Sequence, residues 1–302
     1  MSVDRDASRL HVPVLLNECL DMLAPAIEAP GAILIDATLG MGGHTEAALK
    51  RFPQLTVFGI DRDPAAIELA SARLAPFGSR FRAFHTTYDN MAAVADEAPG
   101  AMVDGILMDL GVSSLQLDEE ERGFSYAHDA PLDMRMNPTV GVSAAQLLAS
   151  ASKEEIARIL RVYGEEKFAS KIAARIVRDR ETQPLTRTSQ LAQIVRDSIP
   201  AAARRSGGNP AKRTFQALRI AVNDELTILE AALPAALERL RVGGRIVIES
   251  YQSLEDRLVK DIFRRGATDQ APAGIPLIPE ELQARLRLLT RGAQLADDTE
   301  KS

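Results

Sequence analysis

Acidic side chains and glycines follow two short apolar segments of the chain in a pattern typical of a nucleotide-type cofactor site. Segment 31–36 is rich in β-branched residues and ends at Asp36, and the glycine-containing stretch 40–43 follows it. A second apolar segment, 56–61, ends at Asp61. Glycines permit a tight turn and a close approach to a ligand, and an acid after the second strand can bind ribose hydroxyls. The pattern predicts the first βαβ unit of a doubly wound sheet.

NAD, FAD and S-adenosylmethionine sites share this pattern, and the glycine spacing here favours S-adenosylmethionine over a nicotinamide dinucleotide. His44 and Thr45 stand where the dinucleotide pattern has its third glycine. S-adenosylmethionine has no pyrophosphate, so a looser turn and an acidic rim suit it better. Acids at predicted strand ends are Asp36, Asp61, Asp63 and Asp109. An alternative interpretation is that these acids only cap helices.

Composition bounds the class of protein. With 302 residues, 46% of them hydrophobic, the chain can bury a large core. It has no apolar run of about eighteen residues and no basic-then-apolar N-terminal signal, so we expect a cytoplasmic protein that does not enter the membrane. The single cysteine, Cys19, excludes an internal disulfide and a thiolate-based metal cluster, and we predict no metal. Its helical apolar surroundings indicate core packing.

Cys19 also restricts the chemistry that could act on a base. Methylation of a cytosine ring carbon needs an activated thiolate that adds to the ring. Cys19 precedes the whole predicted cofactor unit and has no activating neighbours in the sequence. If the substrate is a base, an exocyclic nitrogen or a sugar oxygen is the expected acceptor.

Charge is distributed unevenly along the chain. Residues 153–219 contain fifteen Lys or Arg and seven Asp or Glu, a net charge of +8. Since the whole chain has a net charge of −6, the remaining residues carry −14. Arg204, Arg205, Lys212 and Arg213 flank a Gly-Gly pair. This asymmetry favours a segment that faces phosphates on an acidic body, and ordinary charged helix faces are the alternative.

Further along the chain, apolar segments predict three more strands at 79–85, 103–110 and 243–249. Segment 111–141 has no period and is predicted to be a long active-site loop beyond the fourth strand. A helical pattern then begins, with capping boxes at Ser143 and Ser152. The predicted division is a methyltransferase-type sheet domain in two parts, 1–141 and 209–302, around an inserted all-helical domain, 142–208. Asn209 and Pro210 predict the start of one long helix towards Leu240.

Nine short motifs occur in an order that points to one family. They cover residues 11–16, 36–44, 60–64, 108–114, 122–125, 131–136, 163–166, 213–217 and 253–257. On these motifs the chain resembles the bacterial 16S ribosomal RNA cytosine-N4 methyltransferases, the MraW or RsmH family, over about residues 10–290. The resemblance implies a class I S-adenosylmethionine-dependent fold, a Rossmann-like doubly wound α/β sheet, with an inserted helical domain. It also implies a P-site cytidine of 16S rRNA in the small ribosomal subunit as the substrate.

Matched position by position, the resemblance implies a set of cofactor contacts. They are Gly42, Gly43, His44, Asp61, Tyr88, Asp109 and Gln116. Asp61 and Asp109 agree with the interpretation from strand ends, and Tyr88 could stack on adenine or be a core aromatic. Gln116 has no independent signal.

For catalysis and substrate binding we advance hypotheses from chemistry. Asp109 is the first candidate acceptor for an amino proton and Asp133 the second. Phe124 and Tyr126 could stack on an extruded base or anchor the loop. Candidate phosphate or sugar contacts, with ion pairing as the alternative, are Arg135, Arg213 and Arg257. A non-catalytic rRNA-binding assembly factor is the rival function, and a homodimer is compatible with the sequence.

The chain departs from the family's usual pattern at two places. Tyr251 and Gln252 replace a Phe-His pair, so no imidazole is available there. The family usually ends with an Asn-Pro-Arg segment and a last strand, and this sequence stops at Ser302 without either. We therefore expect residues 286–289 to be poorly paired.

Overall fold

The structure is a computed structural model that describes residues 13–201, 209–272 and 277–295. Contacts divide these residues into two compact units. The first contains the described residues up to 61, residues 66–111 and those from 228 onwards. The second contains residues 62–65 and the described residues of 112–227.

A parallel five-stranded sheet forms the centre of the first unit, as predicted, and its order is β3-β2-β1-β4-β5. Its strands are β1 (Ile33–Asp36), β2 (Thr56–Asp61), β3 (Phe81–His85), β4 (Val103–Asp109) and β5 (Leu240–Glu249). Alternate residues of β1 enter different cores, with Ile35 on one face and Leu34 on the other. Burial on both faces explains why the inner strands are continuously apolar.

The register brings the polar carboxyl ends of the strands to one edge of the sheet. Asp36 pairs with Gly59 of β2. In the next pair of strands, Asp109 lies opposite Glu249. Asp61 lies opposite His85. Since all strands run parallel, their acidic ends share the edge where ligands of open α/β sheets bind.

Helices flank the sheet and build the second unit. Before the loop they are α1 (Leu16–Ile27), α2 (Gly43–Arg51), α3 (Pro64–Leu74) and α4 (Met91–Ala95). The central group is α5 (Ser114–Asp118), α6 (Ala144–Ser150), α7 (Lys153–Gly164), α8 (Ala169–Arg180), α9 (Thr188–Ser198) and α10 (Lys212–Asn223). The last two are α11 (Glu225–Arg239) and α12 (Ser253–Gly266). The fold class is confirmed by the sheet.

The second unit has its own apolar core, and part of the irregular segment belongs to it. Leu132 and Met134 are 2% and 0% exposed and pack with Leu160 and Ile172 of the helices. The predicted division placed residues 111–141 with the sheet and began the helical domain at 142. By contacts, residues 112–141 group with the helices, because their apolar side chains fill that core.

The prediction of one long helix from 210 to 240 was wrong. Asp224 adopts a left-handed conformation, with φ of 52°, and separates α10 from α11. The preceding Asn223 accepts a hydrogen bond from the Met136 N–H and donates one to the Met134 carbonyl. These long-range bonds hold the helix end, and no local pattern signals them.

The described tail contains a short turn at Glu280–Leu282 and no strand between 277 and 295. Leu288 and Leu289 are 52% and 42% exposed, whereas Leu286, which was also expected to be poorly paired, has a backbone partner. Arg285 and Leu286 donate backbone hydrogen bonds to the Gly266 carbonyl. Among the described residues we find no helix with the length and apolarity needed to cross a membrane.

Candidate active site

The glycine turn between β1 and α2 is held in a shape that side chains would prevent. Gly42 has φ of +79° and caps α2 in the left-handed region. A Cβ atom on Gly43 would lie 2.8 Å from Cγ of Pro13. The Gly40 N–H donates a 2.8 Å hydrogen bond to Oδ2 of Asp61. This bond fixes the Asp61 carboxylate against the turn, where it can meet a ribose.

Asp36, Thr38 and Thr45 form hydrogen bonds next to the carboxyl ends of the strands. Asp36 is buried, and its Oδ2 accepts a 2.6 Å hydrogen bond from the Thr45 hydroxyl. The Thr38 hydroxyl accepts a 2.6 Å hydrogen bond from the Asp109 N–H. Burial raises the pKa of Asp36 to about 6, although the bond from Thr45 acts in the opposite direction. Asp36 therefore acts as a structural acid that orders the turn.

His44 follows the turn and lies between two acids of neighbouring strands. Its Nε2 is 3.5 Å from Oε2 of Glu249, and its Nδ1 is 4.0 Å from Oδ2 of Asp109. Burial lowers the pKa of His44 to about 4, so the imidazole is neutral at neutral pH. Neutral His44 makes no ion pair with either acid.

We expect Asp36→Asn to change how stability depends on pH. Between about pH 4 and about pH 6 the folded protein keeps a proton on Asp36 that the unfolded chain releases, so this group makes the free energy of unfolding fall as pH rises. His44 has the opposite sign, because in this range the unfolded chain binds a proton that folded His44 does not. The two contributions offset each other in the wild type.

Asp36→Asn removes the Asp36 contribution and leaves those of His44 and the other groups, so stability should rise over that range by on the order of 2 kcal/mol relative to the wild-type profile. Urea unfolding at a series of pH values, in chelator-treated buffer, measures this difference. Parallel pH profiles for the two proteins would contradict it.

Asp109 also has a partner on the segment that follows β5. The Tyr251 phenol donates a hydrogen bond to the Asp109 carboxylate. Although Tyr251 is 57% exposed, partial burial of its phenol and then the negative charges of Asp109 and Glu249 raise its pKa above the ordinary value. The phenol therefore keeps its proton and orients Asp109, whose side chain is 29% exposed.

The other two predicted cofactor residues lie in different units. Tyr88 belongs to the first unit, where it is half-buried in a turn after β3 and packs against the sheet core. Gln116 belongs to the second, on the first turn of α5, and is 4% exposed. Its Nε2 donates a 3.1 Å hydrogen bond to Oδ2 of Asp63.

Asp63 forms a buried ion pair with Arg122 in the second unit. It is 0% exposed, and its Oδ2 also accepts a 2.5 Å hydrogen bond from Nη2 of Arg122. The same Arg122 nitrogen donates to the Met136 carbonyl. Asp63 thus joins Gln116 to Arg122, and Arg122 in turn holds Met136, later in the same irregular segment.

The second catalytic candidate is engaged by a neighbouring arginine. Nε and Nη2 of Arg135 donate to the two carboxylate oxygens of Asp133, at 2.8 and 2.7 Å. Partial burial acts to raise the pKa of Asp133, but the hydrogen bonds and charge of Arg135 outweigh it and hold the pKa below its ordinary value. Asp133 and Arg135, predicted to serve catalysis and substrate binding, form one ion pair here.

The candidate base-stacking and phosphate residues have different surroundings. Phe124 is buried in the helical core, and the half-buried Tyr126 meets Phe215 edge-on at 5.7 Å. Arg213 is exposed on α10, where it donates to the Glu165 carbonyl at 3.4 Å. Arg257 is exposed on α12 of the first unit. Arg204 and Arg205 lie outside the described residues.

Comparison with known proteins identifies the family. The model of the MraW methylase family matches residues 8–302. The chain is 62% identical over 297 residues to "Ribosomal RNA small subunit methyltransferase H" of Beutenbergia cavernae, which covers 98% of this chain and 89% of that protein. The protein of the same name from Streptomyces avermitilis is 57% identical over 290 residues, with 96% and 91% covered.

The chain belongs to the MraW methylase family. The MraW resemblance inferred from the nine motifs is thereby confirmed. The protein is an S-adenosylmethionine-dependent methyltransferase, and family membership does not support the nicotinamide alternative.

The residues at the sheet edge fit the cofactor of an MraW methylase. The glycine turn offers backbone amides, and Asp61 is held where a ribose-binding acid is needed. Asp109 adds a partly exposed carboxylate at the end of β4, and a carboxylate can stabilise a positive sulfonium. The donor set is therefore rich in oxygen acceptors, as an adenosyl sulfonium requires.

Sequence reasoning missed several residues of this MraW methylase. Glu249 ends a strand as Asp36 and Asp109 do, so the same strand-end pattern could have identified it. Tyr251 was noticed only as a departure from Phe. The pairing of Asp63 with Arg122 had no local signal, because the two residues are far apart in the chain.

Proposed function

We propose that the protein transfers a methyl group from S-adenosylmethionine to the exocyclic N4 of a P-site cytidine in 16S rRNA of the small ribosomal subunit. The relatives named as small-subunit rRNA methyltransferases support the RNA substrate. The observation that carries the acceptor assignment is the partly exposed Asp109 carboxylate at the end of β4, oriented by Tyr251. It offers a hydrogen-bond acceptor where an amine must be held.

The only cysteine supports an amine acceptor over a ring carbon. Cys19 is 3% exposed, and burial together with the charge of Glu249 raises the pKa of its thiol far above the ordinary value. A protonated, buried thiol cannot add to a cytosine ring. The chain therefore lacks the nucleophile that carbon methylation requires, and nitrogen methylation does not need one.

We assign the cofactor contacts residue by residue. Gly42, Gly43 and His44 offer the backbone of the turn, Asp61 binds the ribose hydroxyls and Tyr88 stacks on the adenine. Gln116 is assigned a polar contact with the cofactor. When bound, S-adenosylmethionine supplies an electrophilic methyl on a positively charged sulfur.

Asp109 is assigned the task of holding the amine. In cytosine the N4 lone pair is delocalised into the ring, so the nitrogen is a poor nucleophile. A carboxylate that accepts a hydrogen bond from the amino group draws the nitrogen towards tetrahedral geometry and stabilises the positive charge that develops on it. Tyr251 keeps Asp109 in place for this task.

Asp133 is the second candidate, with a weaker case. Its low pKa makes it a poor base, and Arg135 binds both of its oxygens. We assign the pair to orienting the irregular segment near the substrate. Of the aromatic candidates, Tyr126 is more accessible than the buried Phe124, so Tyr126 is the one we assign to stacking on the extruded base.

The helical unit is assigned the contact with RNA phosphates. Several arginines of 153–219 have structural partners, such as Arg180 with the Leu148 carbonyl and Arg219 with Glu225. Lys212 and Arg213 at the start of α10 are exposed, as is Arg257 of the sheet unit. Phosphates can reach these exposed cations.

We expect the double substitution of Lys212 and Arg213 by Ala to weaken rRNA binding. The slope of log affinity against log salt concentration should become shallower by about one to two units, because binding with fewer phosphate contacts releases fewer counterions. Filter binding at a series of salt concentrations measures the slope. Lys50→Ala, an exposed lysine of α2 paired with Glu46, is the control. A double variant with the wild-type slope would mean that these two residues do not contact RNA phosphates.

Transfer of a radiolabelled methyl group tests the proposal as a whole. Free 16S rRNA and assembled small subunits are incubated with labelled S-adenosylmethionine, digested and separated as nucleosides. We expect N4-methylcytidine as the labelled product. Label in another nucleoside would overturn the acceptor assignment. Cofactor binding without any transfer would favour the assembly-factor alternative. A homodimer is compatible with the sequence, and sedimentation of the purified protein tests for it separately.

A further inference from the structure

Three buried side chains from separate elements converge beneath the glycine turn. Cys19 comes from α1, His44 from the first turn of α2 and Glu249 from the end of β5. They are 3%, 6% and 8% exposed. One sulfur, one imidazole nitrogen and one carboxylate oxygen of this group lie within 4.8 Å of one another. The cluster is thus a compact set of three different donor atoms.

An unsatisfied atom points into the cluster. Nε2 of His44 is buried and has no hydrogen-bond partner among the described residues. It lies 3.5 Å from Oε2 of Glu249, longer than a good hydrogen bond. Since a neutral imidazole nitrogen is either a donor or an acceptor, leaving it buried without a partner is unfavourable. A ligand between His44 and Glu249 would remove this cost.

The charges and softness of the three donors select one class of ligand. A thiolate and a carboxylate carry two negative charges and a neutral imidazole carries none, so a divalent cation makes the site neutral. Thiolate and imidazole ligands favour zinc, whereas magnesium and calcium prefer oxygen ligands alone. In a tetrahedral zinc site with bonds of about 2.0 to 2.3 Å, ligand atoms are about 3.5 Å apart. The 3.5 Å between His44 Nε2 and Glu249 Oε2 matches this value, and all three donor atoms lie within 4.8 Å of one another.

We propose that Cys19, His44 and Glu249 form a mononuclear zinc site in which water takes the fourth position. The thiol, which donates a hydrogen bond to Glu249 in the structure, gives up its proton to solvent when the metal binds. The metal joins α1, α2 and β5. Because its ligand His44 directly follows Gly43, the metal also holds the glycine turn in place. Because the site is neutral overall, it does not repel a cationic sulfonium nearby. This inference is independent of the rRNA substrate.

The cobalt form of the full chain tests the site directly. Since Cys19 is the only cysteine, any thiolate-to-cobalt charge-transfer band in the near ultraviolet must come from it. Chelator-treated protein titrated with Co²⁺ should develop this band with a stoichiometry of one, together with the visible bands of a tetrahedral ion. Zn²⁺ should displace the cobalt and raise the Tm. Absence of the thiolate band at saturating Co²⁺ would overturn the proposal, and this measurement needs no variant.

Variants then assign the other ligands. We expect zinc affinity, measured by competition with a chromophoric chelator, to fall at least about 100-fold in Cys19→Ser and at least about tenfold in Glu249→Gln. Glu46→Gln, on the same helix as His44 but paired with Arg73, is the matched control and should bind zinc as the wild type does. Circular dichroism checks that each variant is folded. If Cys19→Ser does not fold, Glu249→Gln and the wild-type cobalt spectrum decide. Unchanged zinc affinity in folded Glu249→Gln would mean adventitious binding elsewhere and would overturn the site.

Discussion

We expect Asp109→Asn to transfer methyl groups at least about 100-fold more slowly than the wild type, the usual size of effect for a lost acid–base or hydrogen-bonding group. The amide keeps the shape of the side chain but carries no charge. It therefore stabilises less of the positive charge that develops on the N4 nitrogen. Single-turnover transfer to small ribosomal subunits, with saturating S-adenosylmethionine, isolates this step.

Cofactor affinity separates the two tasks assigned to Asp109. Calorimetric titration should show S-adenosylmethionine binding within about tenfold of the wild type, because Asp61 and the glycine turn remain intact. If binding weakens and the saturated rate stays the same, Asp109 serves the cofactor alone and the catalytic assignment fails.

Two further variants calibrate the result. Tyr251→Phe removes the hydroxyl group that orients Asp109 and keeps the aromatic ring. We therefore expect a smaller loss of the transfer rate, about tenfold. Asp133→Asn should also lose less than Asp109→Asn, because Arg135 already occupies the oxygens of Asp133. If Asp133→Asn showed the larger loss, the order of the two candidates would be reversed.

Strands and the glycine turn were predictable because their signals are local. A buried parallel strand such as β4 must be apolar on both faces, and this leaves a continuous apolar run in the sequence. The acids that end β1, β2 and β4 stand directly after such runs. Parallel pairing then brings them to one edge without further information.

The composition of the site beyond those acids was not predictable from local signals. Glu249 meets His44 because β5 pairs with β4, and Cys19 joins them from a helix near the start of the chain. The sequence suggested ordinary core packing for Cys19. The break at Asp224 likewise depends on the bonds that Asn223 makes with a distant segment. In each case the decisive contacts join residues that are far apart in the chain.

The largest expected effect on stability comes from the buried ion pair of the helical unit. Asp63→Ala removes the buried carboxylate that pairs with Arg122, whose side chain is only 12% exposed, and leaves Glu119, 3.4 Å from Nη1, as its acidic partner. Removing one partner of a buried pair typically costs about 3–5 kcal/mol, because the remaining charge is desolvated and unpaired. Gln116 loses its acceptor as well. Because Glu119 still faces Arg122, we expect a drop in the free energy of unfolding of about 3 kcal/mol, at the lower end of this range, measured by urea unfolding followed by far-ultraviolet circular dichroism.

An exposed pair of the same unit provides the control, since Arg187 and Asp129 are 43% and 48% exposed. Asp129→Ala should lower the Tm much less, because water already solvates both charges and the other bond lost is the 3.2 Å one from the Ser189 N–H. The double variant Asp63→Leu with Arg122→Met should recover much of the loss, since neither charge then remains buried. If Asp63→Ala were as mild as Asp129→Ala, the pair would not hold the irregular segment.

The hydrogen bond between Asp63 and Gln116 predicts a further result. S-adenosylmethionine binding should weaken in Asp63→Ala and stay normal in Asp129→Ala.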